Sequence, residues 1–377
     1  MRLYLDEAAT APPRREVLEA MWPFLTARFG NPASVHEIGR DADAALEDAR
    51  GTVARALGGR PGEIVFTSGG TEGANTAIKG IALASPRGRH VLVSAVEHAA
   101  VLESADWLGR IGYEVERLPV DATGTVIPEA LAARLRPETT LVSVQLANNE
   151  VGTIQPVAEL AALTREVGAA FHTDAVQAAG WLPIDVATLG VDALTLSGHK
   201  LGGPRGTGAL WLRRGMRIEP LIHGGGQERG RRSGTVDVAG AVGLATALAA
   251  GHPGAQALAE RRDAFIARVL DGVAPLIPDV ALTGHATRRL PGHASFVLPG
   301  VNGEAVLLAL EERGVVVSSG SACHAGSTEP SGVLTAMGLA PEVAQTAIRF
   351  SFGEARTAEE LDGAARLLVE AVAAVTG

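Results

Sequence analysis

Cysteine is almost absent from this sequence. Cys323 is the one cysteine among 377 residues, so no intramolecular disulfide can form and no cysteine-rich metal site is possible within one chain; no metal site is expected. A reducing compartment, by default the cytoplasm, is the expectation. Positive charge is also scarce, since 33 Lys and Arg stand against 42 Asp and Glu for a net charge of −9. With only eight Phe, four Trp and two Tyr, the chain lacks both the basic footprint and the stacking rings of a nucleic-acid binder, and no direct nucleic-acid partner is expected. Long apolar runs are missing too. The longest, Ala239 to Ala250, falls far short of a membrane span, and Asp6 and Glu7 interrupt the N-terminus before any apolar run develops, so neither membrane insertion nor a secretory signal is expected.

What is present is a chain long enough for about two or three domains. From about Glu63 to Leu212, β-branched runs such as EIVFTS, HVLVS and TTLVSVQ alternate with helix-like segments such as TEGANTAIKGIALA and PVAELAALTREVG. That alternation indicates βαβ units and a mainly parallel sheet covered by helices. A break at Ala250 to Gly254 precedes a long helix-like segment and a different order of elements. The expected division is a large domain over residues 16–254 and a smaller α+β domain from residues 1–15 and 255–377.

Ligands of such sheets sit beyond the carboxyl ends of the strands, where three segments carry candidate chemistry. Gly70 and Thr71 open a helix after a strand, which suits a phosphate, although a threonine N-cap would look the same. Asp174 ends the strand AAFHTD, where a carboxylate can hold a ring nitrogen protonated while Gln177 reaches a neighbouring ring oxygen; a helix cap is the plainer alternative. Lys200 follows the strand DALTLS between glycines, and a lysine shielded from water has the lowered pKa that Schiff-base chemistry needs. Each motif is weak alone. Together, in this order along one sheet, they are the three attachments that pyridoxal phosphate requires. His98, after another strand, falls at the same sheet edge, where it can stack on the ring and move protons.

The segments YLDEAAT, GNPASVHEIGR, FTSGGTEGANTAIKG, VEHAAVLES, NNEVGTIQPV, FHTDAVQAAG, LSGHKLGGPRGTG, HGGGQERGRRSGT, SSGSACHAG and IRFSFG together resemble the cysteine desulfurases over nearly the whole chain. These pyridoxal-phosphate enzymes convert L-cysteine to L-alanine and keep the sulfur as an enzyme persulfide. The resemblance implies an α/β, aspartate aminotransferase-like fold (fold type I of pyridoxal-phosphate enzymes) in a homodimer. It implies that Lys200 forms the Schiff base, Asp174 pairs with the pyridine nitrogen, and Gln177 pairs with the phenolic oxygen. Gly70, Thr71, Ser197 and His199 would hold the phosphate, His98 would stack on the ring, and Thr235 would reach the phosphate of the neighbouring subunit. The arginine-rich loop of Arg229, Arg231 and Arg232 would touch that subunit.

The same resemblance makes Arg349 and Asn149 the substrate-binding pair, the planar fork of Arg349 gripping an α-carboxylate. Lys200 would move the α-proton and His98 would serve as acid or base. Cys323, in a run of small polar residues, would take the sulfur and pass it to an acceptor such as an iron–sulfur scaffold protein. Glu7 stands where many relatives carry a neutral residue, and Ala11 replaces a commonly seen threonine before Pro12; both bear on how the N-terminal loop packs. A selenocysteine lyase, a class V aminotransferase that does not need Cys323, and a non-catalytic sulfur-carrier scaffold remain as alternatives.

Overall fold

A computed structural model describes residues 2–84, 87–320 and 329–377; Cys323 lies outside the described residues. The first strand, β1 (Leu3–Tyr4), stands apart from the next seven. These are β2 (Ile64–Thr67), β3 (His90–Ser94), β4 (Glu114–Leu118), β5 (Thr139–Ser143), β6 (Ala170–Asp174), β7 (Ala193–Ser197) and β8 (Gly208–Leu212). They form one sheet in the order β2-β8-β7-β6-β5-β3-β4. Only β8 runs against its neighbours β2 and β7; the remaining pairings are parallel.

A sheet with helices on both faces buries every position of its central strands, and β3, β5 and β7 are buried throughout. Period-two alternation divides them between two cores. Leu92, Val142 and Leu194 face one side with Phe66 and Phe171, whereas Val91, Val93 and Leu141 face the other with Ile78 and Val101. The edge strand β4, EVERL, is mostly exposed or half-buried, and its charges discourage pairing with a further strand. Helices α1 (Arg15–Leu25) and α2 (Glu37–Ala56) pack against the helix Val238–Ala250 on the first face, while α3 (Gly70–Ala84) and α4 (Ala99–Arg110) pack together on the second.

The rest of the chain forms another core. Strands β9 (Ala281–Leu282) and β10 (His293–Val297), then β11 (Val315–Val316) and β12 (Ile348–Ser351), give an antiparallel sheet β12-β10-β9 and a parallel pair β1-β11. Helices Ala255–Val273 and Ala358–Thr376 cover it. The last of these begins with a capping box in which Thr357 and Glu360 satisfy each other's backbone N–H at 2.9 and 3.1 Å. Phe265, Phe296, Phe350 and Phe352 meet edge to face with ring centres 5.0–6.3 Å apart, so half of the chain's phenylalanines stabilise this one cluster.

The N-terminus joins the two bodies. Leu5 is buried in the second core, and Glu7 and Ala8 donate backbone N–H bonds to the carbonyl and hydroxyl of Ser351 at 3.0 and 2.9 Å. A few residues later, Ala11 and Arg14 donate to the carbonyls of His199 and Gly202 at 2.9 and 2.8 Å. The segment thus ties β12 to the turn after β7.

Candidate active site

Beyond the carboxyl ends of β5, β6 and β7 lies a cavity of about 340 Å³, within the range of small-molecule sites. Gly70, Thr71, His98, Asn149, Asp174, Gln177, Ser197, His199, Lys200 and Arg349 all line it, so ten of the twelve residues expected from the sequence converge. Thr235 is not among the lining residues of its own chain and is exposed. Cys323 falls outside the description.

One end has the groups that suit an anion. Helix α3 begins at Gly70, and its first turn presents unpaired backbone N–H groups beside the Thr71 and Ser197 hydroxyls. Glycine suits this position because a Cβ on Gly70 would lie 2.8 Å from Val176 Cγ2 and force that side chain to shift. The arginine-rich loop is fastened to the same region from within the chain. Arg232 grips Glu72 through bonds of 2.9 and 3.2 Å, and Glu228 pairs with buried Arg50 at 2.6 Å while accepting the Phe66 N–H at 2.9 Å. His199 contacts Thr10 Oγ1 at 3.2 Å, and burial, with Lys200 and Arg205 nearby, lowers its pKa to about 4. At neutral pH it is an uncharged hydrogen-bonding group.

In the middle, Asp174 is 7 % exposed and its Oδ1 accepts the Val176 N–H at 2.8 Å. Burial raises its pKa, opposed by neighbouring His98, the Val176 N–H and Lys200. A cationic ring nitrogen is the partner that would hold such a carboxyl ionised. Its strand is fixed from below by His172, which bridges Ser143 Oγ at 2.8 Å and Thr195 Oγ1 at 2.9 Å. Burial lowers the His172 pKa to about 3, so this bridge is neutral. Lys200 donates to the carbonyls of Ala8 and, at 2.8 Å, Ala9; the Gln177 amide also donates to Ala8 at 2.9 Å. His98 caps α4, its Nδ1 accepting the Ala100 N–H at 3.0 Å, a geometry that assigns any neutral-ring proton to Nε2.

The other end belongs to Arg349 of β12, 1 % exposed. Its Nη1 donates to the carbonyls of Asn149 at 2.9 Å and Gly320 at 3.1 Å, and its Nη2 pairs with Asp6 at 2.6 Å. Sequence reasoning missed Asp6. It also missed Glu97, a buried carboxyl that accepts the Gln145 N–H at 2.5 Å and whose pKa burial, then the nearby Asp174, pushes well up. Both stand inside recognisable segments, YLDEAAT and VEHAAVLES, but neither has a partner close in sequence to announce it.

A buried carboxyl, an amine on the facing turn, and a helix N-terminus ringed by hydroxyls fit pyridoxal phosphate as a donor set. The class-V aminotransferase model matches residues 3–363. The chain belongs to the class-V aminotransferase family. Among its relatives, the protein named cysteine desulfurase IscS from Dictyoglomus turgidum is 48 % identical over 365 residues, which is 96 % of this chain and 92 % of that one. A solved structure described as a NifS-like protein superimposes with a TM-score of 0.90 at 37 % identity, covering 98 % of this chain and 99 % of the other. A second, described as SspA in complex with cysteine, gives 0.82 at 35 % identity, over 95 % and 100 %. The architecture is the α/β fold of these pyridoxal-phosphate enzymes, and pyridoxal phosphate is the cofactor of this class-V chain.

Proposed function

We propose that this chain is a cysteine desulfurase, releasing L-alanine from L-cysteine and leaving the sulfur on Cys323. The observation that carries this reading is the arrival of buried Arg349 in the same cavity as Lys200 and Asp174, in a chain 48 % identical to a protein named for that activity. Fold-type relatives that move amino groups also need a lysine and a ring-nitrogen carboxylate; the cysteine complex of a similar structure points to the substrate.

Gly70, Thr71, Ser197 and His199 would hold the cofactor phosphate, Gln177 would meet its phenolic oxygen, Asp174 its ring nitrogen, and His98 would stack on the ring. When bound, the cofactor supplies an electron sink for the pair released at the substrate Cα. Lys200 takes the α-proton and returns protons to the substrate carbons, and His98 relays others. Arg349 and Asn149 hold the carboxylate so that the substrate sulfur points toward Cys323. The balance is closed within the two thiols: the substrate C–S bond breaks, an S–S bond forms on Cys323, and the proton ends on the methyl carbon of alanine.

The finer reading includes a homodimer. Trp22, Phe29 and Val35, 65, 71 and 88 % exposed in α1 and the loop after it, form the apolar surface a second copy would cover, and exposed Thr235 would then reach the partner's phosphate seat. No helix among the described residues is long and apolar enough to cross a membrane, which accords with cytoplasmic placement. We assign residues 16–254 to a large cofactor domain and residues 1–15 and 255–377 to a small one, supported by the two separate cores. The persulfide sulfur goes to an acceptor protein such as an iron–sulfur scaffold.

The test gives L-cysteine to the cofactor-loaded protein and to Cys323→Ser, measuring alanine and the intact mass after thiol trapping. Wild type should form alanine and gain one sulfur atom; the variant, still yellow, should do neither. Alanine from the variant at the wild-type rate would refute the role of Cys323, and no alanine from either would refute the activity.

A further inference from the structure

A guanidinium carries five N–H bonds, and the disposition of those on Arg349 is informative. Nη1 is taken by the carbonyls of Asn149 and Gly320, Nη2 donates to Asp6 Oδ1 at 2.6 Å, and Nε is buried with no partner among the described residues. Asp6 provides the one ion pair of Arg349 among the described residues. It is not a mobile counterion, because its own carbonyl accepts the Tyr4 hydroxyl at 2.8 Å and the Ala9 N–H at 3.0 Å, and Glu7 beside it is bonded to Ser351. Nη2 has two N–H bonds and Asp6 takes one, so a carboxylate entering the cavity that Arg349 lines meets a guanidinium whose Nη2 has an N–H still to give but whose charge is already shared.

We propose that Asp6 is a positioning residue that tunes carboxylate recognition: it turns the Arg349 fork toward the cavity and, by sharing its charge, keeps the hold on an amino-acid carboxylate loose. This rests on the reading that Arg349 receives the substrate carboxylate. The rationale lies in the reaction itself. L-Cysteine and L-alanine carry the same carboxylate, so a stronger clamp would hold substrate and product alike, lowering KM without accelerating chemistry and retarding release. The orienting and charge-sharing actions of Asp6 are separable, since asparagine keeps an acceptor for Nη2 and removes the charge, whereas alanine removes both.

The experiment titrates cofactor-loaded wild type, Asp6→Asn, Asp6→Ala and Asp6→Glu with L-alanine and with cysteamine, an amine that lacks the carboxylate, following the visible absorption of the cofactor; thermal melting verifies folding. In Asp6→Asn the alanine Kd and the cysteine KM should fall by roughly 3–10-fold as one like charge is removed from beside the incoming carboxylate, without a rise in kcat, while the cysteamine Kd stays put. In Asp6→Ala the alanine Kd should exceed that of wild type because the fork loses its guide. Asp6→Glu, which keeps the charge, should bind alanine no more tightly than wild type, and carries the test alone if Asp6→Asn does not fold. Weaker alanine binding in Asp6→Asn, an equal change for cysteamine, or tighter alanine binding in Asp6→Glu would overturn the proposal. Because the alanine titration needs no turnover, it reads Asp6 even if cysteine proves not to be the substrate.

Discussion

At the proposed cofactor end of the cavity, Asp174 and Ser197 end the neighbouring strands β6 and β7 of a single sheet and Lys200 follows β7. At the proposed substrate end, Arg349 of β12 meets Asp6 across 343 residues of sequence and the Asn149 carbonyl across 200. The first end is a by-product of sheet topology, because adjacent parallel strands deliver whatever follows them to one edge. The second exists only when three separate pieces of chain are docked. The first should therefore tolerate disturbance of domain packing better than the second, and damage at the two ends should leave different signatures.

The largest effect should come from Lys200→Ala. Alanine formation from cysteine should drop by more than ~10³-fold, as expected when one residue is both anchor and proton carrier, and the visible band of the internal cofactor linkage should disappear. Asp174→Asn should follow at about 10²–10³-fold, together with faster loss of cofactor on dialysis; retention equal to wild type would dissolve its assigned pairing. Arg349→Lys keeps the charge but not the planar fork and should raise the cysteine KM by about 30-fold with the cofactor spectrum intact. A spectrum as altered as that of Asp174→Asn would erase the distinction between the two ends.

Acid tests both ends at once, because each contains a buried neutral histidine: His172 beneath Asp174 and His293, which contacts the Glu150 carbonyl at 3.1 Å. Burial lowers both to about 3, with Arg349 adding to the effect at His293. A folded pKa below the ordinary 6.5 means that the unfolded chain binds more protons between these values. The stability these groups contribute is thus complete above about pH 6.5 and drains as pH falls toward 3. The raised pKa values of Asp174 and Glu97 act in the opposite direction, so the histidine contribution should be read as a difference: the melting temperature of wild type should fall more steeply with acid than that of His172→Gln. The smallest effect is expected from Ser351→Ala, which removes the hydroxyl accepting the Ala8 N–H. A loss of about 1 kcal/mol, or a Tm shift of about 1–2 °C in a chain of this size, should be accompanied by a higher cysteine KM rather than weaker cofactor retention.

Legibility in the sequence followed the same divide. The alternation from Glu63 to Leu212 announced the large sheet because buried parallel strands and amphipathic helices have different periods, and the residues just after strands pointed to Asp174 and Lys200. Arg349 and Asn149 carried no such signal; the resemblance indicated them, and the cavity brings them together. Asp6 and Glu97 were read past because a buried carboxyl is defined by what it faces, and Arg349 and Asp174 are distant in sequence. The arginine-rich loop, expected at the contact with a neighbouring subunit, also carries ion pairs within its own chain, Arg232 and Arg229 meeting Glu72 and Glu47 at 2.9 and 3.5 Å. Charge counted along a sequence does not reveal such pairing.

The N-terminal segment also bears on the order of assembly. Residues 3–8 are synthesised long before their partners Gly314, Val316 and Ser351. Until then the segment has neither its strand partner nor its seat in the second core, and Asp6 has no guanidinium to meet. Contacts of such long sequence separation form late because loop closure must precede their reward. Synthesis can thus finish the large sheet and its proposed cofactor seat while the proposed clamp around Arg349 is still incomplete, so on that reading competence for an amino acid arrives only with the strand that carries Arg349.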